Sequence, residues 1–349
     1  MLKKILVLTI LTSFIYGQDG TELQDNYWGD VKGFLNRQAR VSLDLVSHTL
    51  DTTPPQLPEP LQRKKAMLMI DGILHYKVAP ELSSVQNFHH QRIKKALEEL
   101  KQTEVDKGCM IWKMYDHGFI VRTQDITVAF DLIRGYSAGD EGFPVSDKLM
   151  KEITEQCDIL FITHRHKDHA DKTVAKLFLE QGKPVVAQQD IWKNEPVYSK
   201  ISHLNPIIDK SQNINLKEKN INLEVVVYPG HQGDTPNNVY LIKFPDELSI
   251  CHTGDQYNSD DFAWIDKVKE SHDVNVLMPN CWTQDIERVA EGFNPELIIT
   301  GHENELGHTI DHREPYWLSY DRLNQIDFPF LMMTWGESFY YNLNDQKMD

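Results

Sequence analysis

The stretch Thr163-His164-Arg165-His166-Lys167-Asp168-His169-Ala170-Asp171 directly follows the apolar run 159–162 and directly precedes a helical pattern. Three histidines and an aspartate fall within six residues. Imidazole and carboxylate are the side chains that suit zinc and related divalent ions, and a strand-to-helix loop can fold such close neighbours around one centre. The alternative is a polar loop without metal, but three further stations follow. They are His231 in Tyr228-Pro229-Gly230-His231, Asp255 in His252-Thr253-Gly254-Asp255, and His302 in Ile299-Thr300-Gly301-His302. Each comes just past an apolar strand pattern and beside a glycine, where the backbone can turn sharply and aim the side chain into a shared pocket. A single histidine at a strand end would ordinarily be structural. Four stations in one order point to a common centre.

From residue 108 onward, short apolar runs alternate with helical stretches. A hairpin is expected over 119–121 and 126–130, and helices near 148–155, 171–180 and 284–291. Strands are expected at 159–163, 185–187, 223–228, 239–244, 248–252, 274–278 and 297–300. Strands interleaved with helices over so long a stretch imply an α/β fold of mixed sheets covered by helices. No internal repeat shows in the motifs, although the layout could conceal two similar halves. Residues 18–107 read instead as an all-helical appendage. Val85, Phe88, Ile93, Leu97 and Leu100 recur at helical spacing, and Pro54, Pro55, Pro58 and Pro60 break the segment into separate helices. Residues 1–17 carry Lys3 and Lys4 ahead of a short apolar run, which reads as a secretory signal peptide too short to span a membrane. The expectation is therefore an exported protein, periplasmic or secreted, without stable membrane insertion.

The 349 residues carry 36 Lys plus Arg against 52 Asp plus Glu, a formal charge of −16 that becomes −18 without the leader's two lysines. Such a surface repels polyanions, so nucleic acid is disfavoured as a partner and a small-molecule substrate is expected. Cys157 and Cys251 sit in or beside apolar strand patterns as small hydrophobic residues. A Cys109–Cys281 bridge is left open. No Gly-x-Ser-x-Gly elbow or phosphate-cradling loop appears.

The ordered set resembles the metallo-β-lactamase superfamily, whose signature is an early aspartate, His-x-His-x-Asp-His, a lone histidine, a bridging aspartate and a final histidine. Asp131 in Val128-Ala129-Phe130-Asp131 fits the early aspartate, which in the family orients the ligand loop. The resemblance covers roughly 109–345 and implies an αββα sandwich with the helical appendage added. It also implies two divalent ions, zinc first, with manganese or iron also accepted. His164, His166 and His231 would hold one ion, Asp168, His169 and His302 the second, and Asp255 would bridge them. Two ions so placed would activate a bridging hydroxide as the nucleophile, with Asp168, Asp255 and His302 central to catalysis on an ester, lactone or phosphodiester. The branch with ascorbate-6-phosphate lactonase and N-acylphosphatidylethanolamine phospholipase D is similar. Gln256 and Tyr257 depart from the pair that follows the bridging aspartate there, so no substrate is carried over. The residues themselves leave open a non-catalytic, metal-stabilised binding or scaffold protein.

Beyond these stations, Asp234, Thr235 and Asn237 are candidates to hold the ligand loop by hydrogen bonds. His308 and His117 are candidate substrate contacts. His89-His90 reads as surface, while Trp282, Tyr316 and Trp317 are either core or pocket wall. The helical appendage could cap the site, pack on a sheet or mediate self-association.

Overall fold

The computed structural model describes residues 30–135 and 142–342. The leader sequence lies outside the described residues. Three helices open the described chain, α1 (Val31–Thr52), α2 (Leu61–Leu74) and α3 (Ser83–Gln102). They are followed by β1 (Cys109–Lys113), β2 (Phe119–Arg122), β3 (Thr127–Phe130), α4 (Asp147–Glu155), β4 (Ile159–Ile162), α5 (Lys172–Glu180) and β5 (Val185–Ala187). The second half contains β6 (Ser211–Leu216), β7 (Ile221–Gln232), β8 (Thr235–Lys243) and β9 (Ser249–His252). After the short helices α6 (Phe262–Ile265) and α7 (Val268–Ser271) come β10 (Val276–Met278), α8 (Ile286–Phe293), β11 (Leu297–Ile298), α9 (Tyr316–Leu323) and β12 (Glu337–Tyr341).

Two six-stranded sheets result, ordered β12-β1-β2-β3-β4-β5 and β6-β7-β8-β9-β10-β11. Their pairings repeat. In each, the first four strands are joined antiparallel and the last two pairs are parallel. The two similar halves that the motifs leave hidden are thus visible in the strand topology.

Strand alternation assigns each side chain to a layer. In β7, Leu223, Val225 and Val227 join the core between the sheets, while Val226 and Tyr228 face the helices Phe262–Ile265 and Ile286–Phe293. In β4, Ile159 and Phe161 enter the inter-sheet core, whereas Leu160 and Ile162 enter the outer helical layer. Both sheets are apolar on both faces, so each must be covered twice. The outcome is an αββα sandwich.

The N-terminal helices supply part of the outer cover of the first sheet. Leu43, Val46, Met67, Ile70, Phe88, Leu97 and Leu100 share one continuous core with Trp112, Ile120, Ala129 and Leu160 of the strands. Arg63 on α2 is fully buried and binds Glu337 of β12 through both terminal guanidinium nitrogens at 2.6 Å. The surface expectation for His89-His90 is corrected. His89 is fully buried and stacked 4.5 Å from Phe143, and His90 is half-buried on the Phe143 carbonyl. A neutral imidazole is both apolar ring and hydrogen-bonding group, and a spacing argument does not reveal which face a neighbouring element will cover. Burial, with the charge of His90, lowers the His89 pKa to about 3. All four cysteines are buried and free. No helix among the described residues is long and apolar enough to cross a membrane.

Candidate metal centre

The ligand loop is shaped from both ends. Behind it, β4 ends at Ile162. Ahead of it, Asp171 caps α5 by accepting from Thr173 N and Val174 N and also binds Arg134. Asp131, held at φ +41°, anchors the middle. Its Oδ1 accepts from Thr163 N at 2.8 Å and its Oδ2 accepts from Thr163 Oγ1 at 2.6 Å and His169 Nδ1 at 2.8 Å. Those bonds leave His169 Nε2 facing the other stations.

Asp255 follows β9 across Gly254, whose φ of +53° and close approach to Thr163 and Asn237 leave no room for a side chain. Asn237 grips the turn, donating to Thr253 O at 2.7 Å and accepting from Asp255 N at 3.0 Å. Asp255 Oδ2 thereby lies 3.6 Å from His164 Nε2, 3.3 Å from His169 Nε2 and 3.6 Å from His302 Nε2. Two atoms each about 2.1 Å from a tetrahedral ion are about 3.4 Å apart, so this is ligand spacing rather than hydrogen-bond spacing. His302 itself adopts φ +77°, and Gly301 allows its backbone to pack directly on the His117 ring.

The ligand atoms fall into three groups, each with members within 4.8 Å of one another: Asp116, Asp168, His169 and His302; His117, His169 and Asp255; and His164, His166 and Asp255. His231 lies in none of them. It is the penultimate residue of β7, half-buried, with its Nδ1 bound to Asp261 Oδ1 at 2.8 Å and its backbone N bound to Asp261 Oδ2 at 2.9 Å. Asp234 is exposed at the β7–β8 turn, so the bracing expected of it is supplied by Asp261. That residue reaches His231 from the next connection, and nothing local in the sequence marks it. Asp116 was equally unmarked, standing before His117 in an ordinary-looking turn.

His117 does not open to solvent. It is fully buried, its ring 4.2 Å from that of His252 and tilted by 35° against it, with Nδ1 3.8 Å from Asp255 Oδ1. His308 is about a third exposed, and its Nε2 lies 3.5 Å from Asp168 Oδ2. It belongs to a turn ahead of a single 3₁₀ turn at Ile310–His312. Trp282 stands 5.6 Å from His302 and 5.5 Å from Tyr257, on the wall of a cavity of 590 Å³ that Gln232, His308, His312 and Arg322 also line. Trp317 is exposed and Tyr316 is buried.

The electrostatics of the cluster set carboxylates and imidazoles against one another. Burial alone would lower His302, but the carboxylates of Asp116, Asp255 and Asp168 outweigh it and raise its pKa to about 10. Burial and the neighbouring His169 charge take His164 down to about 3. Burial lifts Asp116 to about 6 against the pull of His302 and His169. Asp255 is held well below the ordinary carboxylate range, because His169 and His302 overcome its burial. His164 Nε2, His169 Nε2, His302 Nε2 and both oxygens of Asp116 and Asp255 are nevertheless buried without a hydrogen-bond partner. Buried polar atoms at this density need partners from outside the chain, ordered water or a bound ion, and a set of imidazole nitrogens and carboxylate oxygens fits divalent metal ions.

The helical segment braces this site. Buried Asp71 of α2 accepts from Asn304 Nδ2, Tyr316 N and Trp317 N, each at 2.9 Å, and so fixes the loop that carries His302 to the N-terminus of α9.

Residues 116–281 match the model of the Beta-lactamase superfamily domain. Among solved structures, Igni18, a novel metallo hydrolase from Ignicoccus hospitalis, is 16% identical with a TM-score of 0.50, covering 67% of this chain and 99% of its own. A possible metal-dependent hydrolase from Veillonella parvula is 17% identical with a TM-score of 0.50, covering 67% and 100%. No curated protein matches. The ordered candidate stations and the paired mixed sheets thus coincide with a Beta-lactamase superfamily domain across residues 116–281, in the αββα fold that these solved structures share.

Proposed function

We propose that this protein is an exported, dinuclear-metal-dependent hydrolase that cleaves an ester, lactone or phosphodiester bond of a small molecule. The observation that carries the reading is Asp255 Oδ2, set 3.3–3.6 Å from imidazole nitrogens of His164, His169 and His302. One carboxylate thus faces histidines from both expected ligand sets, as a bridging residue must. His164, His166 and His231 would hold one ion, Asp168, His169 and His302 the other. Zinc is the first expectation, and the oxygen and nitrogen donors also accept manganese or iron. Bound divalent ions supply a water of lowered pKa and polarise the oxygen of the bond under attack.

The remaining work falls to the chain's own side chains. Asp131 and Asp261 orient the rings of His169 and His231 by binding their Nδ1 atoms. Trp282 and Tyr257 form an apolar wall for the substrate, while His308 and Arg322 face it with polar groups. Asp168 Oδ2, 3.5 Å from both His302 Nε2 and His308 Nε2, is placed to pass a proton from the centre to His308 at the cavity.

The reading is tested by metal analysis of the purified protein beside a panel of lactone, carboxylester, phosphomonoester and phosphodiester substrates, with and without chelator. Two metal equivalents and a chelator-sensitive activity are expected, and Asp255→Ala should lose both. A protein that neither holds nor can be loaded with metal sinks the reading. Export is checked by expressing the full chain, which should appear outside the cytoplasm shortened by about the length of the leader.

A further inference from the structure

We propose that Asp116 is itself a ligand of the second divalent ion, completing a shell with Asp168, His169, His302 and the shared Asp255. The inference rests on the dinuclear reading above and adds to it a residue outside the ordered signature.

Three independent features lead to it. The first is position, because a carboxylate oxygen of Asp116 lies within 4.8 Å of ligand atoms on Asp168, His169 and His302. Its Oδ1 is 3.6 Å from His302 and its Oδ2 3.8 Å from His169. The second is its lack of any other role. Asp116 stands at φ +57°, where a side chain other than glycine's is strained, and aspartate is tolerated there mainly when it bonds the local backbone. Here both carboxylate oxygens are buried and accept no hydrogen bond, so turn chemistry does not explain the residue. The third is topology. The two sheets repeat one pairing pattern, with β1 and β2 of the first corresponding to β7 and β8 of the second. The β7–β8 hairpin carries His231, assigned to the first ion. The β1–β2 connection, its counterpart in the other half, carries Asp116, beside the residues assigned to the second. Each half of the sandwich thus offers one hairpin residue to the centre.

The two sites that follow are chemically unequal. The His164, His166 and His231 side is rich in nitrogen. The other side, with Asp116, Asp168 and shared Asp255, is rich in oxygen and suits harder ions such as manganese or ferrous iron alongside zinc.

The test measures Zn²⁺ and Mn²⁺ binding by equilibrium dialysis to the full chain, to Asp116→Asn and to Asp168→Asn. Wild type should hold two equivalents. Asp116→Asn should keep one and bind the second more than about 100-fold more weakly, beyond the roughly 10- to 100-fold effect of residues that act only through a ligand. A smaller loss, or none, overturns the assignment while leaving the dinuclear reading intact. A wild-type chain that binds no ion overturns that reading instead. Should Asp116→Asn fail to fold, anomalous diffraction from zinc-loaded wild-type crystals decides the matter. An Asp116 oxygen about 2.0–2.2 Å from an ion supports the proposal, and one beyond about 3 Å overturns it.

Discussion

Asparagine in place of Asp131 changes one atom and should disable a ligand it leaves untouched. Asn Oδ1 can still accept from Thr163 N, now 2.8 Å away. The other position becomes an NH₂ group facing His169 Nδ1, which at 2.8 Å currently donates to a carboxylate oxygen. Two donors cannot meet there, so the imidazole is driven to the tautomer protonated at Nε2, the atom 3.3 Å from Asp255 that must be bare to bind metal. Losing such a partner lowers metal affinity about 10- to 100-fold, or roughly 1.4 to 2.8 kcal/mol. Fold stability should fall as well, by roughly 1.5 to 3 kcal/mol for a hydrogen bond to a buried charge. Competition against a chromophoric chelator measures the affinity, and nitrogen-15 NMR of the imidazole reads the tautomer. Affinity within about threefold of wild type in a folded Asp131→Asn protein would refute the orienting role.

Three further outcomes are expected. Arg63→Met leaves buried Glu337 with only the more distant Arg92 and Thr334 N as partners, so it should cost roughly 3–5 kcal/mol in urea unfolding, while Arg63→Met with Glu337→Leu should recover most of that; a single-variant cost under about 1 kcal/mol contradicts the pairing. Despite its burial Glu337 is held below its ordinary pKa by Arg63, so this stability is present above about pH 4.5 and lost as pH falls through the lowered value. Because His302 is raised to about 10 in the metal-free centre, binding an ion at Nε2 must expel its proton at neutral pH. Affinity should therefore rise with pH, and calorimetric heats that do not depend on buffer ionisation would show that no proton leaves. Trp282→Ala should raise KM by about tenfold with metal content unchanged, since the ring walls the cavity without holding an ion, and a loss of metal would reassign it.

Most of the candidate residues that gather at this site were legible because each is a local event. His164, His166, Asp168 and His169 crowd one strand-to-helix loop, and Asp255 and His302 stand at the ends of apolar strands, so chain order and strand periodicity already imply a common edge. The strands with strong apolar runs were readable for the same reason. β6 and β12 were not, since Ser211-Gln212-Asn213-Ile214 and Glu337-Ser338 are too polar to show a strand until a neighbouring strand supplies the hydrogen-bond partners. β1 was not marked either, although Gly108 ends the helical segment directly before it.

What the amino-acid order determined, then, was the class of fold and most of the candidate stations that gather at one site, through patterns a few residues long. Only the folded chain decided that Asp261 rather than Asp234 braces His231, that Asp116 turns into the centre, that His89 is core, and that Asp71 ties the helical segment to the His302 loop. Each of those depends on two distant segments being packed together, and the burial that strips a carboxylate or imidazole of water, and so gives it a role, comes from the neighbour rather than from the sequence around it.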